Sequence, residues 1–221
     1  MIVDERIITF INSLDTKNSE ILEDIEREAL ADNVPIIRRE MQSFLKVLLM
    51  VKKPMRVLEV GTAVGFSALL MSEYVPEECA ITTIENYEKR IPIARQNFVR
   101  AGKEKKITLL EGDAMDVLKT LEGPYDFIFM DAAKGQYIHY LPEILRLLAK
   151  GGILVSDNVM QDGDVIESRF AVERRDRTIH ARMREYLYEL KHNDALVTSI
   201  IPLGDGVALS VNKEVGTDIA Q

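Results

Sequence analysis

One cysteine, Cys79, stands in 221 residues, which excludes an internal disulfide framework and every cysteine-based zinc cluster. It reads as an inert, half-buried thiol rather than a nucleophile. No apolar run approaches the roughly 20 residues that a membrane-spanning helix needs. The opening "MIVDERIITF" carries Asp4 and Glu5 where a signal peptide would hold a basic region. The expectation is a cytoplasmic protein with no membrane partner. A basic excess is missing too: the formal net charge is −8, a field that repels phosphates from the molecule as a whole. Repeats, low-complexity tracts and Pro/Gly/Ser linkers are absent, so a single domain over 1–221 is expected.

What is present suits a full core: 47% of residues are hydrophobic and 29% charged. Residues 1–53 read as a helical segment. "SEILEDIEREAL" (19–30) spaces Ile21, Leu22, Ile25 and Leu30 as a helix would, behind a Ser19 cap. Pro35 in "VPII" interrupts, and "REMQSFLKVLLMV" (39–51) resumes the stripe.

From residue 54 to 213, the expected core, the pattern changes. "RVLEV", "AITTIE", "KITLLEG", "YDFIFMD" and "GGILVSD" read as short buried strands separated by helical stretches, the signature of βαβ units. "ALVTSIIPLGDGVALSVN" (195–212) holds two β-rich runs around "PLGDG", an antiparallel hairpin. The expected fold is α/β: a doubly wound, Rossmann-like, mostly parallel sheet closed by that hairpin, with N-terminal helices.

Each of the five parallel strands ends at or just before an acid: Glu59, Glu85, Asp113, Asp131 and Asp157. Singly, such acids cap the helices that follow. Together, in a sheet whose ligands bind beyond the carboxyl ends of the strands, they would raise one another's pKa unless positive charge joined them. "EVGTAVGFS" (59–67) supplies a glycine turn of the form G-x-x-x-G rather than the dinucleotide pattern. Gly61 and Gly65 would allow close backbone approach to a ligand. Glu59 before the turn disfavours a pyrophosphate, and Glu85 is placed to accept ribose hydroxyls. That pairing suits S-adenosylmethionine, a cation without phosphates. Asp131, Asp157 and Asn158 form a hard oxygen donor set for Mg²⁺, Mn²⁺ or Ca²⁺, or else a helix cap and a turn. Lys134 follows Asp131 closely enough to act on a substrate proton.

On "LEVGTAVGFSAL", "TTIE", "EGDA", "FMDAAKGQY" and "SDNV", in this order, the chain resembles the cation-dependent O-methyltransferases of the class I S-adenosylmethionine fold, the family of catechol and caffeoyl-CoA O-methyltransferases. The resemblance runs from "VPII" through the terminal hairpin. It implies that Glu59, Gly61 and Ser67 hold the methionine part of the cofactor, Glu85 the ribose, and Asp113 and Ala114 the adenine. Ile37 would contact the cofactor through its backbone. Asp131, Asp157 and Asn158 would bind the metal, Mg²⁺ foremost, with Asp131 also near the cofactor's amino group and Lys134 as general base. "VPI", "DAAKGQY", the arginine-rich stretch and "IIPLGDGVALS" are most similar to the bacterial branch that methylates tRNA 5-hydroxyuridine.

That branch implies a wobble-base acceptor in the tRNA anticodon loop. Its 5-hydroxyl and neighbouring carbonyl form the two-oxygen chelate that a catechol also offers. The segment "RFAVERRDRTIHARMR" (169–184) would then touch phosphates through Arg174, Arg175 and Arg177; otherwise it is a solvated helix face. The alternative acceptor is a small catechol-like phenol, although a chain without tryptophan lacks one means of walling it in. A third reading is a non-catalytic adenosylmethionine binder. The resemblance also implies a homodimer through the N-terminal helices.

Overall fold

The computed structural model describes residues 2–213; Met1 and residues 214–221, which the expected domain included, lie outside the described residues. The chain divides into two compact units, Val3–Val117 and the stretch from Leu118 onward. A seven-stranded, mostly parallel sheet supplies both, in the order β3-β2-β1 in the first and β4-β5-β7-β6 in the second. No helix among the described residues is long and apolar enough to cross a membrane.

The first unit opens with helices α1 (Glu5–Ser13), α2 (Glu20–Ala31) and α3 (Arg39–Lys52). Asp4 caps α1 by accepting the Arg6 N–H at 2.8 Å. Strand β1 (Arg56–Val60), helix α4 (Phe66–Glu73), β2 (Ala80–Glu85), α5 (Ile91–Arg100) and β3 (Ile107–Glu111) follow, then α6 (Ala114–Thr120). β1 pairs in parallel with β2, setting Glu59 beside Thr83, and β2 with β3. The adjacent residues Val57 and Leu58, which point to opposite faces, are both wholly buried, so both faces of β1 are covered, as parallel strands require. α4 buries every residue from Phe66 to Ser72.

The second unit holds β4 (Tyr125–Met130), a 3-10 turn at Lys134–Gln136, α7 (Tyr137–Leu147) and β5 (Leu148–Ser156). A 3-10 stretch at Gln161–Ile166, α8 (Arg177–His192), β6 (Leu196–Ile201) and β7 (Val207–Asn212) complete it. β4 and β5 are parallel; β5 pairs antiparallel with β7, and β7 with β6. The expected hairpin is therefore present. β5 starts three residues before the expected Gly151, because Leu148 already pairs with Tyr125.

Three local expectations are corrected. Leu30 does not join the buried stripe of α2 and is 61% exposed; Ala29 and Glu26 take the inner positions with Leu22 and Ile25. Glu26 is buried because Gln42 Nε2 donates to it at 3.2 Å and Arg39 reaches it at 3.1 Å. Ser19 occupies the N-cap position of α2 without a side-chain capping bond, since its hydroxyl donates to Glu73 instead. Cys79 is buried, not half-buried.

These positions make a direct test. Leu22→Ala should lower unfolding stability by about 2–5 kcal/mol, the usual result of emptying a filled core site. Leu30→Ala should change it by less than about 0.5 kcal/mol. Urea midpoints of the two variants decide the matter; equal losses would contradict the orientation of α2.

Candidate active site

In the first unit, Glu59 and Glu85 accept hydroxyl and backbone N–H donors. Glu59, at the end of β1, is wholly buried and accepts the Thr83 hydroxyl from the neighbouring strand. Thr83 in turn shares a hydrogen bond with Thr62 of the glycine turn. Gly61 and Thr62 both donate backbone N–H groups to the Ile84 carbonyl at 3.1 Å, which locks the turn against β2. Gly61 has φ of 104°, a conformation that glycine adopts without strain.

Glu85 gathers three backbone donors: Ala63 N–H at 2.7 Å, Asn86 N–H at 3.0 Å and Tyr87 N–H at 2.9 Å. A carboxylate offers about four lone-pair positions, so Glu85 braces the turn and keeps capacity for a hydroxyl donor. Gly65 departs from its expected role. A Cβ there would lie 2.5 Å from Phe98 Cε1, so the space beside it belongs to the protein's own core. Asn97 fixes the same turn by donating to the Val64 carbonyl at 2.9 Å.

Ser67 lies in the first turn of α4, at the edge of burial. The Ile37 side chain is buried and its carbonyl accepts Gln42 Nε2 at 3.1 Å. Asp113 is exposed and bonds the Met115 N–H at 2.9 Å, where α6 starts with Ala114. Asp113 thus does cap a helix.

The second unit places Asp131 directly after β4 and Asp157 directly after β5, whose last residues, Met130 and Ser156, are register partners. Asn158 Nδ2 donates to Asp131 Oδ1 at 3.1 Å, and the Asn158 N–H to Asp157 Oδ1 at 2.7 Å. Asp131, Asp157 and Asn158 therefore stand together. Burial pushes the Asp131 carboxyl above its ordinary range, against the pull of Asn158 and Lys134. Burial, then the charge of Asp131, pushes Asp157 up to about 7. Keeping both ionised costs free energy that a nearby cation would offset.

Among the described residues no group of three or more His, Cys, Asp or Glu side chains is arranged around a metal position. Any cation here would rest on two carboxylates and an amide, a set of hard oxygens that fits Mg²⁺, Mn²⁺ or Ca²⁺ better than zinc.

Tyr137 was not singled out by sequence reasoning. Its ring is wholly buried; its hydroxyl contacts both the Met130 and Asp157 carbonyl oxygens at 3.1 Å and accepts the Ala132 N–H at 3.3 Å. One hydroxyl thereby pins the ends of β4 and β5, with its own pKa raised well above normal by burial and then by Asp131 and Asp157. Asp205 was missed as well: Lys134 Nζ stands 3.0 Å from its Oδ2. Within "PLGDG" it carried only a turn signal.

The arginine segment is less open than its composition suggests. Arg177 donates to the Val172 carbonyl at 3.2 Å, Arg182 to Gly135 at 3.0 Å and Arg184 to Val165 at 2.9 Å. Arg175 pairs with Glu173 at 3.0 Å and Asp176 at 3.3 Å. Arg169 and Arg174 are exposed and have no partner among the described residues. Phe170, between them in sequence, is 85% exposed.

An O-methyltransferase family model matches residues 12–213. A catechol O-methyltransferase of Niastella koreensis is 35% identical over 56% of this chain and 58% of its own length. Caffeoyl-CoA O-methyltransferase 2 of Populus trichocarpa is 33% identical over 75% of this chain and 70% of its own. The chain thus spans little more than half of the Niastella relative. Among solved structures, an SAH-bound methyltransferase of Podospora anserina superimposes with a TM-score of 0.86 at 27% identity, covering 95% of each chain. An O-methyltransferase from Bacillus cereus in complex with SAH gives 0.83 at 24% identity, over 94% of this chain and 97% of that one, a likeness of fold.

Removing the pin should be felt in stability. Tyr137→Phe should cost about 1–3 kcal/mol, the range for leaving buried polar groups short of a partner. Chemical denaturation measures it, and a loss below about 0.5 kcal/mol would show that the hydroxyl does not hold the strand ends.

Proposed function

The chain belongs to the O-methyltransferase family whose model spans residues 12–213, and from that premise we propose that it moves a methyl group from S-adenosylmethionine to a hydroxyl oxygen beside a divalent cation. The observation that carries this reading is the pair of carboxylates ending β4 and β5, Asp131 half-buried and Asp157 buried, both with raised pKa. When bound, S-adenosylmethionine supplies the electrophilic methyl group and a dication such as Mg²⁺ favours the ionised acceptor oxygen. Asp131, Asp157 and Asn158 would hold the cation.

Glu59, Gly61 and Ser67 would hold the methionine end of the cofactor, Glu85 the ribose, Asp113 and Ala114 the adenine edge, with the Ile37 backbone nearby. A wholly buried carboxyl at Glu59 suits a ligand bearing a sulfonium and an ammonium. Lys134 offers an ammonium that can orient the acceptor hydroxyl or relay its proton at Nζ.

For the acceptor we propose 5-hydroxyuridine at the wobble position of tRNA. The support is an exposed aromatic ring, Phe170, between Arg169 and Arg174, whose side chains have no partner among the described residues. Unpaired loop bases stack on such rings while arginines meet their phosphates. A second reading, a small catechol-like phenol, draws support from Arg177, Arg182 and Arg184. Their bonds to backbone carbonyls leave less of the segment for phosphates.

Protein incubated with S-adenosylmethionine, Mg²⁺ and tRNA from cells lacking the activity should yield a methylated 5-hydroxyuridine by nucleoside mass spectrometry. Chelation should abolish transfer and Mg²⁺ or Mn²⁺ restore it. Asp157→Ala should lower turnover by about a hundredfold or more. Arg174→Glu should slow the tRNA reaction without altering cofactor affinity. Turnover of catechol with none of tRNA would replace the acceptor; full activity under chelation would remove the cation.

The reading includes a homodimer. Phe10 and Leu14 of the α1 segment are 64% and 68% exposed, and Met50 and Val51 of α3 are 61% and 77% exposed; a second copy of the chain would cover these apolar side chains. Sedimentation should give a dimer, and Phe10→Asp should shift it toward monomer. A monomeric wild type at micromolar concentration would refute this part.

A further inference from the structure

Asp205 lies in the turn between β6 and β7, only 3% exposed. Its two oxygens are divided between different segments. Oδ2 receives Lys134 Nζ at 3.0 Å, and Oδ1 accepts the Asp162 N–H. The backbone repeats the connection: Met160 N–H donates to the Asp205 carbonyl at 2.9 Å, and Val159 N–H to Gly206 at 3.0 Å. No wider residue fits beside it, since a Cβ on Gly206 would overlap Met160.

Lys134 is gripped from another side as well. Arg182 of α8 donates to the Gly135 carbonyl at 3.0 Å, and Ile179 packs close against Gly135. Backbone and ammonium of the lysine turn are thus fixed by separate elements. An ammonium has three donors and no acceptor, so one bond to Asp205 leaves donors available for a substrate oxygen.

A lysine stem is flexible, with four rotatable carbons and an unfavourable entropy of ordering. A buried carboxylate that stays fixed by a backbone N–H can supply that ordering. We propose that Asp205 is a positioning residue, which holds Lys134 as a fixed cationic donor for the acceptor hydroxyl and ties it to the root of the segment carrying Phe170. This rests on the methyl-transfer reading above.

Asp205→Asn keeps an oxygen for the Asp162 N–H but loses the charge that attracts Lys134. With an acceptor that the wild type methylates, kcat should fall on the order of tenfold or more while acceptor KM and cofactor Kd stay near wild type. Acetylation of Lys134, followed by peptide mass spectrometry, should be faster in the variant. A kcat within about twofold of wild type, or an unchanged labelling rate, would overturn the proposal.

Should the variant not fold, wild-type labelling decides. Lys134 should react more slowly than Lys103, which is also half-buried and has no side-chain partner among the described residues; equal rates would overturn the proposal. If the wild type methylates no acceptor, the methyl-transfer reading fails, and the labelling comparison still determines whether Asp205 holds the lysine.

Discussion

Two carboxylates brought together in a poorly hydrated place govern the second unit. Asp131 and Asp157 follow adjacent parallel strands whose last residues are register partners, so sheet geometry alone brings their backbones together. Water would ordinarily screen such a pair; here burial raises both pKa values. The neighbours are arranged around that charge. Asn158 lends an amide, Tyr137 fixes the two backbones, and Lys134 brings a cation that is itself shared with Asp205. One ammonium set against three acids leaves the cluster short of positive charge, a deficit that a bound cation would offset.

The acids of the first unit meet a different fate. Glu85 takes three backbone N–H groups, which fix its position against the glycine turn. Glu59, wholly buried, accepts a threonine hydroxyl. Asp113 stays exposed and caps a helix. Position at the end of a strand was common to all of them, and the donors supplied by the fold divide them into brace, buried acid and cap.

That division explains what was legible in the sequence. The strands could be read because both faces are buried, which writes itself as runs of Val, Ile, Leu and Phe. The hairpin could be read because two such runs flank a glycine-bearing turn. Asp131, Asp157 and Asn158 could be proposed together because their strands end at them. Tyr137 and Asp205 could not, since their meaning lies in contacts 20 and 71 residues away. The inward turn of Glu26 in place of Leu30 depends on Gln42, itself bonded to Asn18 at 2.8 Å. Gly65 announced a close approach correctly, but sequence could not say that the approaching group was Phe98 rather than a ligand.

The arginine segment carries the same lesson into function. A run of six arginines suggests one electrostatic surface, yet the fold treats its members differently. Arg177, Arg182 and Arg184 each satisfy a backbone carbonyl that a loop would otherwise leave to water, and Asp205 accepts the Asp162 N–H in the 3-10 stretch that precedes the segment. The root is therefore bound to the same residues that surround Lys134, while Arg169, Phe170 and Arg174 remain exposed. Changes at those exposed positions need not disturb the carboxylates, because no bond among the described residues connects them. The exposed tip and the carboxylate cluster are thus separate features of the second unit, one held by few bonds and the other by many.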